Sequence, residues 1–277
     1  MPSVAELLGR GSNLAGESAR RDTEILLCHC LNKPRAWLYT WPETVVTNEQ
    51  TSQFEDLLAS RSQGHPIAHL IGRREFWSLN LRVNQHTLIP RPETETLVEW
   101  ALALPLPSTA AVLDLGTGSG AIALAVAGER PQWRVSAVDA SEAALQVARD
   151  NGRELELTRV QFYHSDWYAA VAGRRFHLLL SNPPYIEPGD HHLAAGDLRF
   201  EPAMALTAED RGMADLAVLT QGAPDHIQPE GWLLLEHGHT QGAGVRELLA
   251  QQGFCDIETR RDIAGLERVS GGRWHAE

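Results

Sequence analysis

With 277 residues, 43% of them hydrophobic and 22% charged, the chain has the composition of a soluble globular protein, with material for one large or two moderate cores. Its net charge of −12 is uneven: residues 1–100 carry 10 basic and 12 acidic groups, residues 101–277 carry 14 and 24. An acidic body disfavours non-specific binding to nucleic acid or anionic membrane, and no apolar run reaches membrane-spanning length.

Residues 1–71 read as short helices. Val4, Leu7 and Leu8 keep helical spacing, as do Ile25, Leu26 and His29. Thr47 and Gln50 form a capping-box pattern ahead of Phe54, Leu57 and Leu58. Glycine and proline at 11, 16, 34, 42 and 64 divide the region. Of the three cysteines, Cys28 and Cys30 flank one residue, which is not the spacing of a metal pair. They read as buried helix residues, and no metal is expected. Three cysteines without a disulfide framework, and no basic-then-apolar leader, lead us to expect a cytoplasmic protein.

Residues 72–90 change character. Phe76, Leu79, Leu81 and Val83 partly alternate with polar residues, Asn84-Gln85 interrupts, and Thr87-Leu88-Ile89 resumes. The expectation is a hairpin linking a helical domain to a second domain over 91–277. Pro92 suits a first helical turn, with Glu93 and Glu95 at the positive end of its dipole.

From residue 110 the pattern alternates strand and helix. Strands are expected at 111–115, 134–138, 160–164, 176–181, 232–236, 254–259 and 266–270. Helices are expected at 121–127, after Ser141, at 212–226 and at 241–251. Such alternation predicts an α/β, Rossmann-like doubly wound sheet. Residues 186–203, rich in Pro, Gly, His and Asp, read as a mobile loop over its carboxyl edge.

The chemistry-bearing residues fall at predicted strand ends. Gly116-Thr117-Gly118-Ser119-Gly120 is a tight turn that lets backbone approach a ligand without Cβ interference. Asp139, 25 residues past Asp114, ends the next strand, where an acid can accept both ribose hydroxyls of a nucleoside. Gly116-x-Gly118-x-x-Ala121 also fits the dinucleotide fingerprint, so the turn alone indicates only a nucleoside cofactor. Asp114 beside it suits an ammonium or a sulfonium and would repel a pyrophosphate. Asp166-Trp167 ends a third strand, with an indole to wall off an adenine. Asn182-Pro183-Pro184-Tyr185 ends the fourth. Two prolines stop the strand and stiffen the loop. The Asn182 carboxamide and the Pro183 carbonyl can hold the two N–H groups of a planar NH2 and stabilise positive charge growing on its nitrogen. Tyr185 adds an aromatic face.

Taken together, these motifs resemble a class I S-adenosylmethionine methyltransferase acting on planar nitrogen. Pro66-Ile67-Ala68-His69-Leu70, Arg74-Glu75-Phe76-Trp77, residues 88–95 (Leu-Ile-Pro-Arg-Pro-Glu-Thr-Glu), residues 197–202 (Asp-Leu-Arg-Phe-Glu-Pro) and Leu235-Glu236-His237-Gly238 resemble, more narrowly, the PrmC/HemK family. That family methylates the glutamine of the GGQ motif of class 1 peptide chain release factors. The resemblance covers essentially the whole chain. It implies S-adenosyl-L-methionine contacted by residues 116–120, Asp139, Trp167 and Asn182. It also implies a substrate glutamine held by Asn182, Pro183, Pro184 and Tyr185, with Asn182, Pro183 and Tyr185 serving catalysis, and a helical domain that helps dock the release factor. A monomer is expected. The competing readings are methylation of a ribosomal-protein glutamine and, against the acidic charge, methylation of a nucleic-acid exocyclic amine. A binding protein with a vestigial cofactor fold and a dinucleotide oxidoreductase stand further back.

Overall fold

The computed structural model describes residues 1–14, 16, 18–194 and 196–275. The chain divides into two compact units, Met1–Arg73 with His192–Phe200, and Arg74–His191 with Glu201–Glu277.

The first unit holds α1 (Val4–Arg10), α2 (Ala19–Leu31), α3 (Arg35–Thr40), α4 (Asn48–Ser62) and α5 (Ile67–Ile71). Val4, Leu7, Leu26, Leu27, Leu38 and Phe54 form its core, each fully buried. Ser3 and Glu6 close a reciprocal capping box on α1, a pattern the sequence reading passed over. At α4 the expected box is only half made. Thr47 Oγ1 accepts from the Gln50 N–H at 3.3 Å, but the Gln50 side chain does not return to the Thr47 N–H. Its Oε1 takes the Thr47 hydroxyl instead, and its Nε2 reaches the Cys30 carbonyl. Cys28 and Cys30 lie on α2, where burial pushes the Cys30 thiol up to about 11. In the second part of this unit Asp197 pairs with Arg61 at 3.4 Å, and the Phe200 ring packs on His65.

A short hairpin, β1 (Arg73–Phe76) and β2 (Leu79–Arg82), turns at Trp77-Ser78, where both residues have positive φ. The turn therefore lies seven residues before the expected interruption at Asn84-Gln85. The Glu95 carboxylate secures it by accepting the Trp77 N–H at 2.9 Å. α6 (Glu95–Ala103) follows a 3-10 turn over Pro92–Thr94.

The second unit is a seven-stranded sheet. Its elements are β3 (Ala111–Leu115), α7 (Ala121–Glu129), β4 (Arg134–Asp139), α8 (Glu142–Glu154), β5 (Gln161–His164), β6 (Phe176–Ser181), α9 (Glu209–Gly212), α10 (Ala214–His226), β7 (Ile227–Glu236), α11 (Gly242–Gln251), β8 (Phe254–Arg261) and β9 (Glu267–Trp274). The strand order is β5-β4-β3-β6-β7-β9-β8. β3 to β7 pair in parallel, and β9 runs antiparallel to both β7 and β8. Side chains alternate between the faces. Val112, Leu178 and Leu180 join Leu97, Trp100 and Ile122 on one side, while Leu113, Leu115 and Leu179 join Leu216, Leu219 and Val245 on the other.

Two strands run longer than their sequence pattern. β7 begins at Ile227, across Pro229 and Gly231, with a register shift against β6 that absorbs the proline. β9 continues through Gly271-Gly272. A Cβ on Gly271 would lie 2.3 Å from Leu234 Cδ2, so glycine there permits close packing and does not end the strand. Residues 191–205 are not a featureless loop: the described residues include 3-10 turns at His191–Ala194, Gly196–Phe200 and Ala203–Ala205. No helix among the described residues is long and apolar enough to cross a membrane.

The order of strands reverses between β3 and β6, which makes their carboxyl ends the two sides of a topological switch point. Register aligns Leu115 with Val138 and Ser181, and Ser181 with Leu235. Gly116, Asp139, Asn182 and Glu236 each follow by one residue. The strand ends thus stand in a row.

Candidate functional site

At that switch point a cavity opens, walled by Gly116 to Ser119, Asp139, Asp166, Trp167, Asn182 and Pro184. Arg91, Thr94, Pro202, Met204 and Asp215 complete much of its rim. Of the ligand candidates singled out in the sequence, Asp114, Gly120, Pro183 and Tyr185 do not line it. Arg91, Thr94 and Asp215 do, and no spacing rule would have found them.

The glycine turn follows from its own backbone. Gly116, Gly118 and Gly120 all have positive φ. The N–H groups of Gly116 and Thr117 both reach the Val138 carbonyl at 2.9 Å, tying the turn to β4. A Cβ on Gly118 would meet no protein atom within 4 Å, so the bare backbone there faces open space. Asp139 Oδ2 accepts the Gly118 N–H and Oδ1 the Ser141 N–H, each at 2.8 Å. Burial raises the Asp139 carboxyl above the ordinary carboxylate range, and these two N–H groups act in the opposite sense.

Asp114 behaves differently from its expected role. It is fully buried and does not line the cavity. Its Oδ2 accepts the Thr117 hydroxyl at 2.6 Å and the Ala123 N–H at 3.2 Å, so it braces the turn against the first turn of α7. Its Oδ1 has no partner. Burial pushes its pKa up from 3.8 to about 7. A group that binds its proton more tightly in the fold than in the unfolded chain makes stability fall as pH rises between those two values. Asp114→Asn removes that titration. The stability of the variant relative to the parent should grow by on the order of 2–4 kcal/mol between pH 4.5 and pH 8. Urea unfolding at both pH values measures this, and parallel pH curves would refute it.

Trp167 is held in a left-handed conformation, φ 41°, which costs roughly 1–2 kcal/mol for a side chain of its size. Ser165 secures the turn: its Oγ donates to the Trp167 carbonyl at 2.8 Å and accepts the Ala170 N–H at 2.9 Å. The indole stands over the glycine turn, 3.4 Å from where a Gly116 Cβ would sit. Asp215 is raised by burial and by Asp166, while its hydrogen bond with Trp167 opposes the shift.

Asn182 Nδ2 donates to Thr94 Oγ1 at 3.2 Å. With the donor engaged, Oδ1 is the free end of the amide, an acceptor on the cavity wall. Pro183 is buried behind it and Pro184 lines the cavity. The Tyr185 hydroxyl donates to Glu236 Oε1 at 3.3 Å, and burial holds the phenol well above its usual value. The Tyr185 carbonyl accepts Gln241 Nε2 at 3.0 Å. Of the two acids noted beside Pro92, Glu95 serves the hairpin turn and Glu93 stands near Glu236.

On the rim, Arg91 pairs with the buried Glu201, whose Oε2 also accepts the Ile89 N–H at 2.9 Å. This anchors Pro202–Ala205 beside the cavity. Three carboxylates, Asp139, Asp166 and Asp215, thus line the cavity beside one guanidinium, that of Arg91, which is already paired with Glu201. The balance suits a cationic ligand with hydroxyl and amino groups and opposes one with a pyrophosphate.

Residues 10–72 match the family model of the PrmC N-terminal domain, and residues 94–210 that of the methyltransferase small domain. A release factor glutamine methyltransferase of Pseudomonas aeruginosa is 50% identical over 274 residues, covering 99% of each chain. One of Escherichia coli K12 is 48% identical over 261 residues, covering 94% of each. A solved methyltransferase from Pyrococcus furiosus shares the fold at 16% identity, with a TM-score of 0.55 over 83% of this chain and all of its own. Full-length similarity at this level, together with the row of strand-end motifs, shows that the chain belongs to the family of release factor glutamine methyltransferases.

Proposed function

We propose that the protein methylates the side-chain amide nitrogen, N5, of the glutamine in the GGQ motif of class 1 peptide chain release factors, using S-adenosyl-L-methionine and leaving S-adenosyl-L-homocysteine and one amide proton, which passes to solvent. The observation that carries it is the fixed amide of Asn182 at the switch point of a chain 50% identical to a release factor glutamine methyltransferase. The cavity fits the cofactor: bare backbone at Gly118, the Asp139 carboxylate for a ribose diol, Trp167 for the adenine, and an acidic lining for its positive charge. When bound, the cofactor supplies a methyl group on a sulfonium, open to direct in-line displacement.

The residues of the chain have the harder task, because an amide nitrogen is a poor nucleophile with a delocalised lone pair. Asn182 Oδ1 accepts an N–H of the substrate amide, orients it, and stabilises the positive charge that grows on it, whereas Pro183, expected to supply a second acceptor, lies outside the cavity lining. Pro184 walls the amide, and Tyr185 stiffens the loop through Glu236 and Gln241. Residues 1–71 serve as the docking domain, 72–90 as the linker and 91–277 as the catalytic domain. We place the reaction in the cytoplasm, by a monomer, without metal. Methylation of a ribosomal-protein glutamine is the alternative that shares this chemistry.

Incubation with methyl-labelled cofactor and a purified release factor should label the GGQ glutamine. Equal labelling of a release factor in which that glutamine is replaced by alanine would overturn the assignment.

A further inference from the structure

Glu236 is 1% exposed at the end of β7, level with Asn182 in the row of strand ends, and does not line the cavity. The carboxylate receives the Tyr185 hydroxyl on Oε1 at 3.3 Å. The Thr94 hydroxyl stands beside it as a hydrogen-bonding group that favours its ionised form, while Oε2 lacks a partner of full hydrogen-bond geometry. Thr94 Oγ1, in turn, receives Asn182 Nδ2 at 3.2 Å. The Thr94 hydroxyl therefore stands between a buried carboxylate and the amide that lines the cavity, bonded to the amide and close enough to the carboxylate to feel its charge.

The polarity of this arrangement matters. A hydroxyl has one proton, and its oxygen accepts on its other side. If Thr94 gives its proton to Glu236, its oxygen is left to accept from Asn182 Nδ2, and Asn182 presents Oδ1 to the cavity. If Glu236 carries a proton and donates it to Thr94, the Thr94 proton must go elsewhere. Asn182 Oδ1 can then take it, by rotation of the amide that already touches Thr94. That rotation offers an NH2 group to the substrate's NH2, donor against donor.

We propose that Glu236 is a positioning residue for methyl transfer: its ionised carboxylate sets the direction of the Thr94 hydroxyl, which keeps Asn182 Oδ1 turned toward the substrate amide. The proposal rests on the reading of the protein as an amide methyltransferase and deepens it by identifying what orients the key acceptor.

The surroundings of Glu236 place its titration in a useful range. Burial raises it to about 7, against the hydrogen bonds from Thr94 and Tyr185 and the charge of Arg268 on β9, and with Glu93 adding repulsion. Arg268 is shared with Asp262 at 3.1 Å. His237, just past the end of β7, turns its ring to Ser270, and burial keeps it below its ordinary value. Activity should therefore be lost as pH falls through about 7, where the carboxylate takes up its proton.

Glu236→Gln should lower kcat on a release factor by at least about tenfold at pH 8, from one misdirected hydrogen bond to a charged group. KM for the release factor and the Kd of S-adenosyl-L-homocysteine should stay within about threefold, since neither ligand touches Glu236. The variant should also lack the acid limb of the wild-type kcat profile. Thr94→Val should reproduce the loss, and Thr94→Ser, which restores the hydroxyl, should recover most of it. A second readout needs no substrate. The side-chain 1H–15N signal of Asn182, assigned by its absence in Asn182→Ala, should titrate near pH 7 in the wild type and not in Glu236→Gln. An Asn182 signal that ignores pH, with Glu236→Gln within twofold of wild type and an unchanged acid limb, would overturn the proposal. A titrating Asn182 in a protein that labels no release factor would sustain the relay and refute the substrate assignment.

Discussion

Asn182→Ala should lower the rate of glutamine methylation by about 10²- to 10³-fold, the usual effect of deleting one preorganised group that stabilises developing charge. The affinity for S-adenosyl-L-homocysteine should change by no more than a few fold. The asymmetry follows from where the amide points. Its nitrogen is spent on Thr94, and in the proposed reaction its oxygen is the acceptor for a proton-bearing nitrogen that becomes positive only during transfer. Before transfer that nitrogen is a neutral amide, and water can satisfy it almost as well. The interaction is therefore strongest in the transition state and should appear in kcat more than in KM. Single-turnover methylation with labelled cofactor, beside calorimetric titration of the product cofactor, separates the two. Equal losses in rate and cofactor affinity would mean that Asn182 holds the cofactor and not the substrate amide.

The second large effect is expected at a residue that does not line the cavity. Gly212 ends the short segment Glu209–Gly212, in which Asp210, Arg211 and Gly212 all have positive φ. A Cβ on Gly212 would lie 2.0 Å from the Tyr185 carbonyl oxygen and 2.6 Å from its carbon, with φ at +79°. Both objections act at once. The left-handed conformation costs an alanine roughly 1–2 kcal/mol, and the contact is with backbone, which cannot rotate away. That carbonyl also accepts Gln241 Nε2, which donates to the Arg211 carbonyl as well and so ties the two segments together. Gly212→Ala must push the 182–185 loop, and a shift of about 1 Å at a positioning group costs on the order of 10² in rate. Global stability should fall by about 2–4 kcal/mol, as for other disruptive backbone substitutions. Denaturant unfolding and the methylation assay together test this. A variant with wild-type activity would show that the loop absorbs the displacement without moving Asn182.

Much of the catalytic unit was legible because parallel strands buried on both faces are nearly uninterrupted apolar runs. Ala111–Leu115 and Phe176–Ser181 begin and end where their composition says. Asp139 and Asn182 could be found because each stands at the end of such a run, and Trp167 because it comes shortly after the edge strand β5; the switch point gathers strand ends. What escaped had no local signature. The antiparallel insertion of β9 is a property of pairing partners, and Gly271-Gly272 imitates a strand terminator. Asp114 looked like a ligand group because the glycine turn begins two residues after it; only the three-dimensional path of α7 shows that its oxygen meets the Ala123 N–H. Asp215 and Glu236 sit on elements remote in sequence, and a lone carboxylate carries no spacing to read. The left-handed backbone of Trp167 is the opposite of what a bulky aromatic prefers, so local propensity argues against the conformation that the site adopts.

The place of β9 bears on how the enzyme is made. It is the latest of the strands in sequence, yet it lies inside the sheet, between β7 and β8. On a growing chain, β7 keeps one edge open, along the apolar run Trp232–Leu235, until residues 267–274 have left the ribosome. β8 has no other partner in the sheet and must wait for the same event. An unpaired apolar edge is the feature by which chains recruit one another. The interval between synthesis of β7 and arrival of β9 is therefore when this protein most needs shielding, and loss of the final strand would leave β8 unpaired and β7 held on one edge alone.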